Sequence, residues 1–269
     1  MNKKDFYNKN GFIVEKGLIP TKLIDKALSQ INELLKLQLS ELNINGSDSA
    51  PDNLIALFNN NIDRYKKVVG SLWRSLDITK LMHDQKIINY VKEVFGFNNI
   101  LLSGGQVMHI QSKSLKIPDG YFGFETHQDY QSVQGSLDGI IIWIPFTDIN
   151  EDNYPLKIIP KSHINGLYPI ISADTEPAKI DSLSYNENDF KSVIVKKGDV
   201  VFMSYFTLHR SGTKGSENNV RISVSTRYDN ADENTFVKRG FPTAYERNVH
   251  RNLFEESFPS DEEIKNIFT

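Results

Sequence analysis

The feature that most constrains this fold is a change of periodicity near residue 100. Before it, apolar residues recur at helical spacing. After Pro20, with Thr21 at the position of an N-cap, they fall at Leu23, Ile24, Ala27, Leu28, Ile31, Leu34 and Leu35, which is one face of a 3.6-residue repeat. A second stripe, Ile87, Ile88, Val91, Val94 and Phe95, stops at Gly96, where a helix would take a left-handed cap. Residues 54–81 between them predict shorter helices. From 100 onward the segments 100–110, 139–146, 156–159, 192–195, 200–208 and 220–228 are short, β-rich and set off by turn residues. The clearest turns are Lys196-Lys-Gly-Asp199 and Arg210-Ser-Gly-Thr-Lys-Gly215. Short strands without intervening helices imply an antiparallel sandwich or barrel. Residues 112–124 and 172–189 are too long and polar for tight turns and predict lids, binding loops or disordered segments. Ser260-Asp-Glu-Glu263 fits a capping box opening a C-terminal helix. The expected organisation is one domain over 1–269: a mainly helical part at 1–99, a β core at 100–230 and a C-terminal extension at 231–269.

With 269 residues, 39% hydrophobic and 24% charged, the chain can bury a sizeable core. A net charge of −3 without a basic run argues against nucleic acid as a partner. The polar start and the lack of any long apolar stretch predict no membrane span and a cytoplasmic protein. There is no cysteine, so any metal must be held by nitrogen and oxygen.

The stretch Glu125-Thr-His-Gln-Asp-Tyr130 places His127 two residues from Asp129. On a strand those side chains would share a face. A His-x-Asp pair alone is weak evidence, because six histidines give about 0.4 chance matches. His209 adds weight, since it ends the apolar run that starts at Val200, where a side chain can reach a pocket mouth. Two imidazoles and one carboxylate that leave other positions open form the facial triad suited to Fe(II). The next strand alternates: Arg221, Ser223, Ser225 and Arg227 fall on one face. That face is either solvated or an anion site in which Arg221 grips a carboxylate, with Ser223 as a hydroxyl donor.

Taken in order, His127-Gln-Asp129, Trp143-Ile-Pro-Phe-Thr-Asp148, Pro160-Lys-Ser-His163, Gly198-Asp199, His209-Arg-Ser211 and Arg221-Ile-Ser223 resemble the phytanoyl-CoA dioxygenase family. Gly11-Phe-Ile-Val14 looks like that family's opening, and the likeness spans roughly residues 5–230. The resemblance implies an all-β core with helical flanks, namely a double-stranded β-helix (a cupin-like jelly roll) with N-terminal helices packed on it. It implies that His127, Asp129 and His209 bind Fe(II), that Arg221 pairs with the distal carboxylate of 2-oxoglutarate helped by Ser223 or Ser211, and that O2 is the oxidant. Trp143 would line the cosubstrate pocket or serve as a core aromatic. On the preceding strand Gln106, His109 and Gln111 are candidates to touch the cosubstrate, with His109 preferred. His163 matches a turn histidine that is not a ligand. The chain departs from the family at Asn153-Tyr-Pro155, where Asn-Gly is usual, and at Pro160-Lys161, where Pro-Gly is usual. Losing glycines there predicts altered turns.

The reaction implied is hydroxylation of an unactivated C–H bond with release of succinate and CO2. An intact Asp129 favours hydroxylation over halogenation, because halogenating relatives carry a small residue there. Expected substrate contacts are Tyr130, Gln131 and Phe124, with Arg227 as partner for an acidic group; the 121–124 loop is either a lid hinged at Gly123 or an ordinary exposed loop. No basic cluster stands out in the sequence, which predicts a small polar metabolite as substrate. Two other readings fit the same residues: a cupin-like metal-dependent isomerase or hydrolase, and a non-catalytic jelly-roll binding protein.

Overall fold

The structure is a computed structural model that describes residues 2–117, 122–172, 178–217, 219–245 and 259–266. It begins with helix α1 (Lys3–Asn10) and strand β1 (Phe12–Glu15). Five helices follow: α2 (Thr21–Ser40), α3 (Ala50–Asn60), α4 (Ile62–Leu72), α5 (Leu76–Met82) and α6 (Gln85–Tyr90), the last running into a π-helical turn capped by left-handed Gly96. Helix α2 starts directly after Pro20, and Thr21 is its first residue without a side-chain cap. Of its predicted stripe, Ile24, Ala27, Ile31 and Leu35 are buried, and Leu39 extends it by a turn, whereas Leu34 is exposed.

The β region carries β2 (Ile100–Leu102), β3 (Val107–Gln111), the one-turn helix α7 (Tyr130–Val133), β4 (Ile140–Pro145), β5 (Leu156–Ile158), β6 (Ile170–Ser172), β7 (Lys179–Ile180), β8 (Lys191–Val193), β9 (Val200–Ser204), β10 (His209–Ser211) and β11 (Arg221–Asn230). Helices α8 (Asn234–Lys238) and α9 (Asp261–Asn266) follow. The expected strand at 100–110 is thus two strands, parted by Ser103-Gly-Gly105. Arg210 and Ser211, expected in a turn, belong to β10 and pair with Lys157 and Leu156 of β5. The capping box at the start of α9 forms, with Ser260 N–H on Glu263 Oε2 at 2.7 Å.

Two antiparallel sheets face each other. The larger runs β1-β9-β4-β11-β2 with β3 also paired to β11; the smaller runs β10-β5-β8. The bridges His127–His209, Ile149–Val195 and Asn153–Gly215 extend the pairing of the smaller sheet. This is the double-stranded β-helix with helical flanks.

Strand alternation divides the core in two. Ile140, Ile142, Ile144, Val200, Phe202, Ile222 and Val224 face the helices and share one hydrophobic cluster with Ile24, Ile31 and Leu35. Ile141, Trp143, Val201 and Met203 face the smaller sheet and meet Leu156, Ile158 and Val193. With its even-numbered positions turned to the helices, β11 presents Arg221, Ser223, Ser225 and Arg227 to the space between the sheets. All four are buried, so the solvated-face reading of this strand is wrong.

The two lost glycines do not alter the turns. Tyr154 (φ 48°) and Lys161 (φ 69°) keep the left-handed backbone. Tyr154 is held by its side chain: its ring is buried against Gly215, where a Cβ would come within 2.3 Å. Its hydroxyl accepts from Lys113 N and donates to Ser216 O, both at 2.9 Å. The Lys161 side chain is exposed, so nothing offsets its strain. His163 donates from Nε2 to Asn8 O at 2.9 Å and packs under Gly11, which ties the N-terminal segment to the β core.

A left-handed non-glycine residue costs about 1–2 kcal/mol, and glycine returns about 0.5–1 kcal/mol of that through unfolded-state entropy. Lys161→Gly should therefore raise stability by about 0.5–1 kcal/mol. Tyr154→Gly should lower it by about 3–5 kcal/mol, as expected for losing a buried aromatic ring. Chemical denaturation of both variants measures the difference.

Candidate metal and cosubstrate site

His127 and Asp129 do not converge through strand alternation as the sequence predicted. His127 sits in an isolated bridge with His209, each backbone N–H donating to the other's carbonyl at 3.0 and 3.1 Å. Asp129 has already turned helical (φ −69°, ψ −27°) and opens α7. Bridge and helical turn together bring the three groups into one place. His209 stands at the first position of β10, facing Ile158.

The tautomers follow from the backbone. His127 Nδ1 lies 2.7 Å from Glu125 O and His209 Nδ1 2.9 Å from Thr207 O. A carbonyl only accepts, so each Nδ1 carries a proton, and in the neutral tautomer it is Nε2 that presents the lone pair. Those Nε2 atoms lie 3.3 and 3.6 Å from Asp129 Oδ1, and the ligand atoms of all three residues lie within 4.8 Å of one another. Three acceptors facing one another in a buried site call for a cation between them. The donor set, two nitrogens and one oxygen, fits a first-row divalent metal such as Fe(II).

Burial alone would raise the pKa of Asp129. The Arg227 guanidinium, with His127 and His209 close by, more than reverses this and holds it well below the usual carboxylate range. Burial, reinforced by the neighbouring His127, pushes His209 down to about 3. His109 is pushed well below its ordinary value by burial, then by Arg221 and Arg227. At neutral pH Asp129 is charged and His209 is neutral, the forms that bind a metal.

One cavity beside the triad is lined by His109, Trp143, Ser211, Arg221, Ser225 and Arg227, together with His127, His209 and Phe124. Arg221 donates from Nη1 to the carbonyl of Tyr154, and Ser211 Oγ lies 3.4 Å from its Nη2. Tyr154 was missed as a site residue. The signal was its departure from glycine, which trades backbone ease for a ring that fixes the carbonyl beneath Arg221. Ser225 Oγ lies 2.9 Å from His109 Nε2 and also accepts from Arg227 Nη1 at 2.9 Å.

Five expected contacts fall elsewhere. The Ser223 hydroxyl is fully buried without a hydrogen-bond partner among the described residues and does not line the cavity. Tyr130 stacks on Phe206, with ring centroids 4.6 Å apart, and Gln131 donates to Gln128 and Tyr168; α7 carries both away from the opening. Arg227 is committed to Asp129, Nε to Oδ2 at 2.7 Å, instead of facing a substrate. Gln106 leaves the strand and donates to Trp73 O and Thr79 Oγ1 on the helical side.

A larger cleft of about 710 Å³ adjoins this cavity through Phe124, Arg210 and Ser211. The fold gathers Lys157, Lys179, Arg210 and Lys214 around it, a cationic rim that the sequence did not reveal because the residues come from separate strands and loops. Arg210 pairs with Glu187 and covers the Phe190 ring at 4.0 Å; Lys179 pairs with Glu125 and Lys214 with Asp152. Gly123 (φ 105°) passes so close to Ser211 that a Cβ would come within 2.7 Å of it. Tyr121, the start of the expected lid, lies outside the described residues.

Because His209 and His109 are buried neutral, only the unfolded chain takes up their protons as pH falls through about 6.5. The metal-free protein should be most stable above that pH. It should lose up to about 1.4 kcal/mol per pH unit for each imidazole on the way down towards pH 4. Denaturation at pH 7 and pH 5 tests the sign, and His109→Gln should flatten the dependence by one group's share.

No helix among the described residues is long and apolar enough to cross a membrane. Comparison with known proteins agrees with the fold. Human peroxisomal phytanoyl-CoA dioxygenase is 22% identical over 247 residues, covering 86% of this chain and 69% of the relative. The non-heme monooxygenase ThoJ in its apo form superposes with a TM-score of 0.60 at 16% identity, covering 86% of this chain and 78% of that one. EctD from S. alaskensis, solved with 2-oxoglutarate and 5-hydroxyectoine, gives 0.56 at 12% identity, covering 86% and 76%. The family profile described as Phytanoyl-CoA dioxygenase (PhyH) matches residues 7–223, and the chain belongs to that family of 2-oxoglutarate-dependent non-haem iron oxygenases.

Proposed function

We propose that the protein hydroxylates an unactivated C–H bond of a small molecule, with His127, Asp129 and His209 holding Fe(II) and Arg221 holding 2-oxoglutarate. The observation that carries this reading is the convergence of three acceptor atoms on one buried point beside a cavity that also contains a buried guanidinium. Bound Fe(II) supplies the redox chemistry: R–H, 2-oxoglutarate and O2 become R–OH, succinate and CO2.

The chain's own residues bind, orient and exclude water. Arg221 offers a planar fork to a carboxylate, and the Tyr154 carbonyl and Ser211 hydroxyl fix its direction. His109, kept neutral, accepts a hydrogen bond from the Ser225 hydroxyl at Nε2 and so keeps its proton on Nδ1, ready to donate within the cavity. Trp143, Met203 and Leu156 form the apolar wall that strengthens every charge interaction inside. Phe124 sets its ring edge against both His109 and His127, with centroids 5.5 and 5.6 Å away, and marks the passage to the outer cleft. Four cations stand against three carboxylates, Glu125 and Glu187 on that cleft's wall and Asp152 paired with Lys214, and the one positive charge in excess favours a substrate with a negative charge over a neutral metabolite.

Purified protein supplied with Fe(II), 2-oxoglutarate and air should form succinate, and His127→Ala or Asp129→Ala should abolish it. A charge-assisted carboxylate contact contributes about 1.5–3 kcal/mol. Arg221→Ala should therefore raise the 2-oxoglutarate concentration needed for half-maximal turnover by at least about tenfold. Turnover that ignores 2-oxoglutarate would return the site to an isomerase or hydrolase. Failure to bind any divalent metal would leave a binding protein.

A further inference from the structure

The inner face of β11 carries two buried arginines six residues apart. An extended strand separates their Cα atoms by about 20 Å, too far for both to serve one small cosubstrate carboxylate. Arg221 lies towards Ser211 and Tyr154. Arg227 lies at the other end, and its Nε meets Asp129 Oδ2 at 2.7 Å. The other oxygen of the same carboxylate, Oδ1, is the one near both imidazoles. The two oxygens of Asp129 are thus divided between two cationic tasks.

We propose that Arg227 is a positioning residue that holds Asp129 to one-oxygen coordination, keeping Oδ2 away from the metal. The inference rests on the metal site proposed above. A carboxylate can bind a cation through one oxygen or both. In a six-coordinate site three single-point protein ligands leave three positions, which a two-point cosubstrate and O2 would fill. A two-point aspartate would leave only two. Keeping Oδ2 engaged therefore keeps the number of open positions that the reaction needs. The clamp is itself fixed, because Nη1 of Arg227 donates to Ser225 Oγ and both partners are buried. The guanidinium cannot swing to the substrate cleft without stranding the Asp129 charge in a buried site.

The test counts water on the ion, which a purely structural role would not change. Mn(II) is loaded into the wild-type protein, Arg227→Met and Arg227→Lys without 2-oxoglutarate. The affinity and the water-proton relaxation enhancement of each are then measured. Wild type should carry three inner-sphere waters. In Arg227→Met the freed oxygen should displace one, lowering the enhancement by about a third, while Arg227→Lys, which can still donate to Oδ2, should keep the wild-type value. Should Arg227→Met not fold, Arg227→Ala in guanidinium at millimolar concentration replaces it, and the enhancement should climb to wild type as guanidinium is added. Equal enhancement in wild type and Arg227→Met, or no response to guanidinium, overturns the clamp. A wild-type protein that binds no Mn(II) overturns the metal site instead.

Discussion

Three acceptor atoms with no donor among them meet at the centre of this fold, and the surrounding structure exists to keep them there. Left alone, Nε2 of His127, Nε2 of His209 and Oδ1 of Asp129 would repel one another and turn outward. They are prevented from doing so one by one. Backbone carbonyls at Glu125 and Thr207 hold the imidazoles by their Nδ1 protons, and Arg227 holds the carboxylate by its second oxygen. The arrangement is preorganised for a cation and has nothing else to offer it but charge and lone pairs.

Keeping such a site dry requires mass on the far side of the larger sheet. The helices provide it. Their apolar stripes bury the outward face of β4, β9 and β11, so that β11 is covered on both faces and can carry arginines and serines inward. In most half-buried strands the polar residues face water and the apolar ones the core. Here both faces are interior, and the polar one is the working one. Local strain at Tyr154 belongs to the same pattern: a left-handed tyrosine is tolerated because its hydroxyl and ring are anchored, and its carbonyl then directs Arg221.

Most of this plan was legible in the residues. The switch of periodicity at residue 100, the stripe of α2, the capping box at Ser260 and the order of His127, Asp129, His209 and Arg221 all lie in local sequence, and local sequence reports local physics. What stayed hidden depends on which segments meet. The i, i+2 argument named the right pair, His127 and Asp129, for the wrong reason, since a bridge followed by a helical turn joins them. Arg227 was read as facing substrate because parity gives the face of a strand and not the partner across the gap. The rim of Lys157, Lys179, Arg210 and Lys214 could not be seen, because only Arg210 and Lys214 are near one another in the chain and two charges four residues apart do not register as a basic run. Tyr130 and Gln131 were misplaced by a single turn of helix.

The contrast between the inner cavity and the outer cleft follows from what each must recognise. On the proposed reading the inner cavity meets the same small diacid and the same ion in every turnover, and most of its residues come from paired strands, with β4, β9 and β11 laddered on both sides. The outer cleft is built from strand ends and connecting loops, with paired charges on its rim that an incoming anion can rearrange at little cost, because exposed ion pairs are worth about 0–1 kcal/mol each. Arg210 spans the two, with its side chain on Phe190 and Glu187 at the rim and its backbone in β10 between His209 and Ser211. The rim residue Arg210 and the candidate metal ligand His209 are therefore neighbours on one short strand.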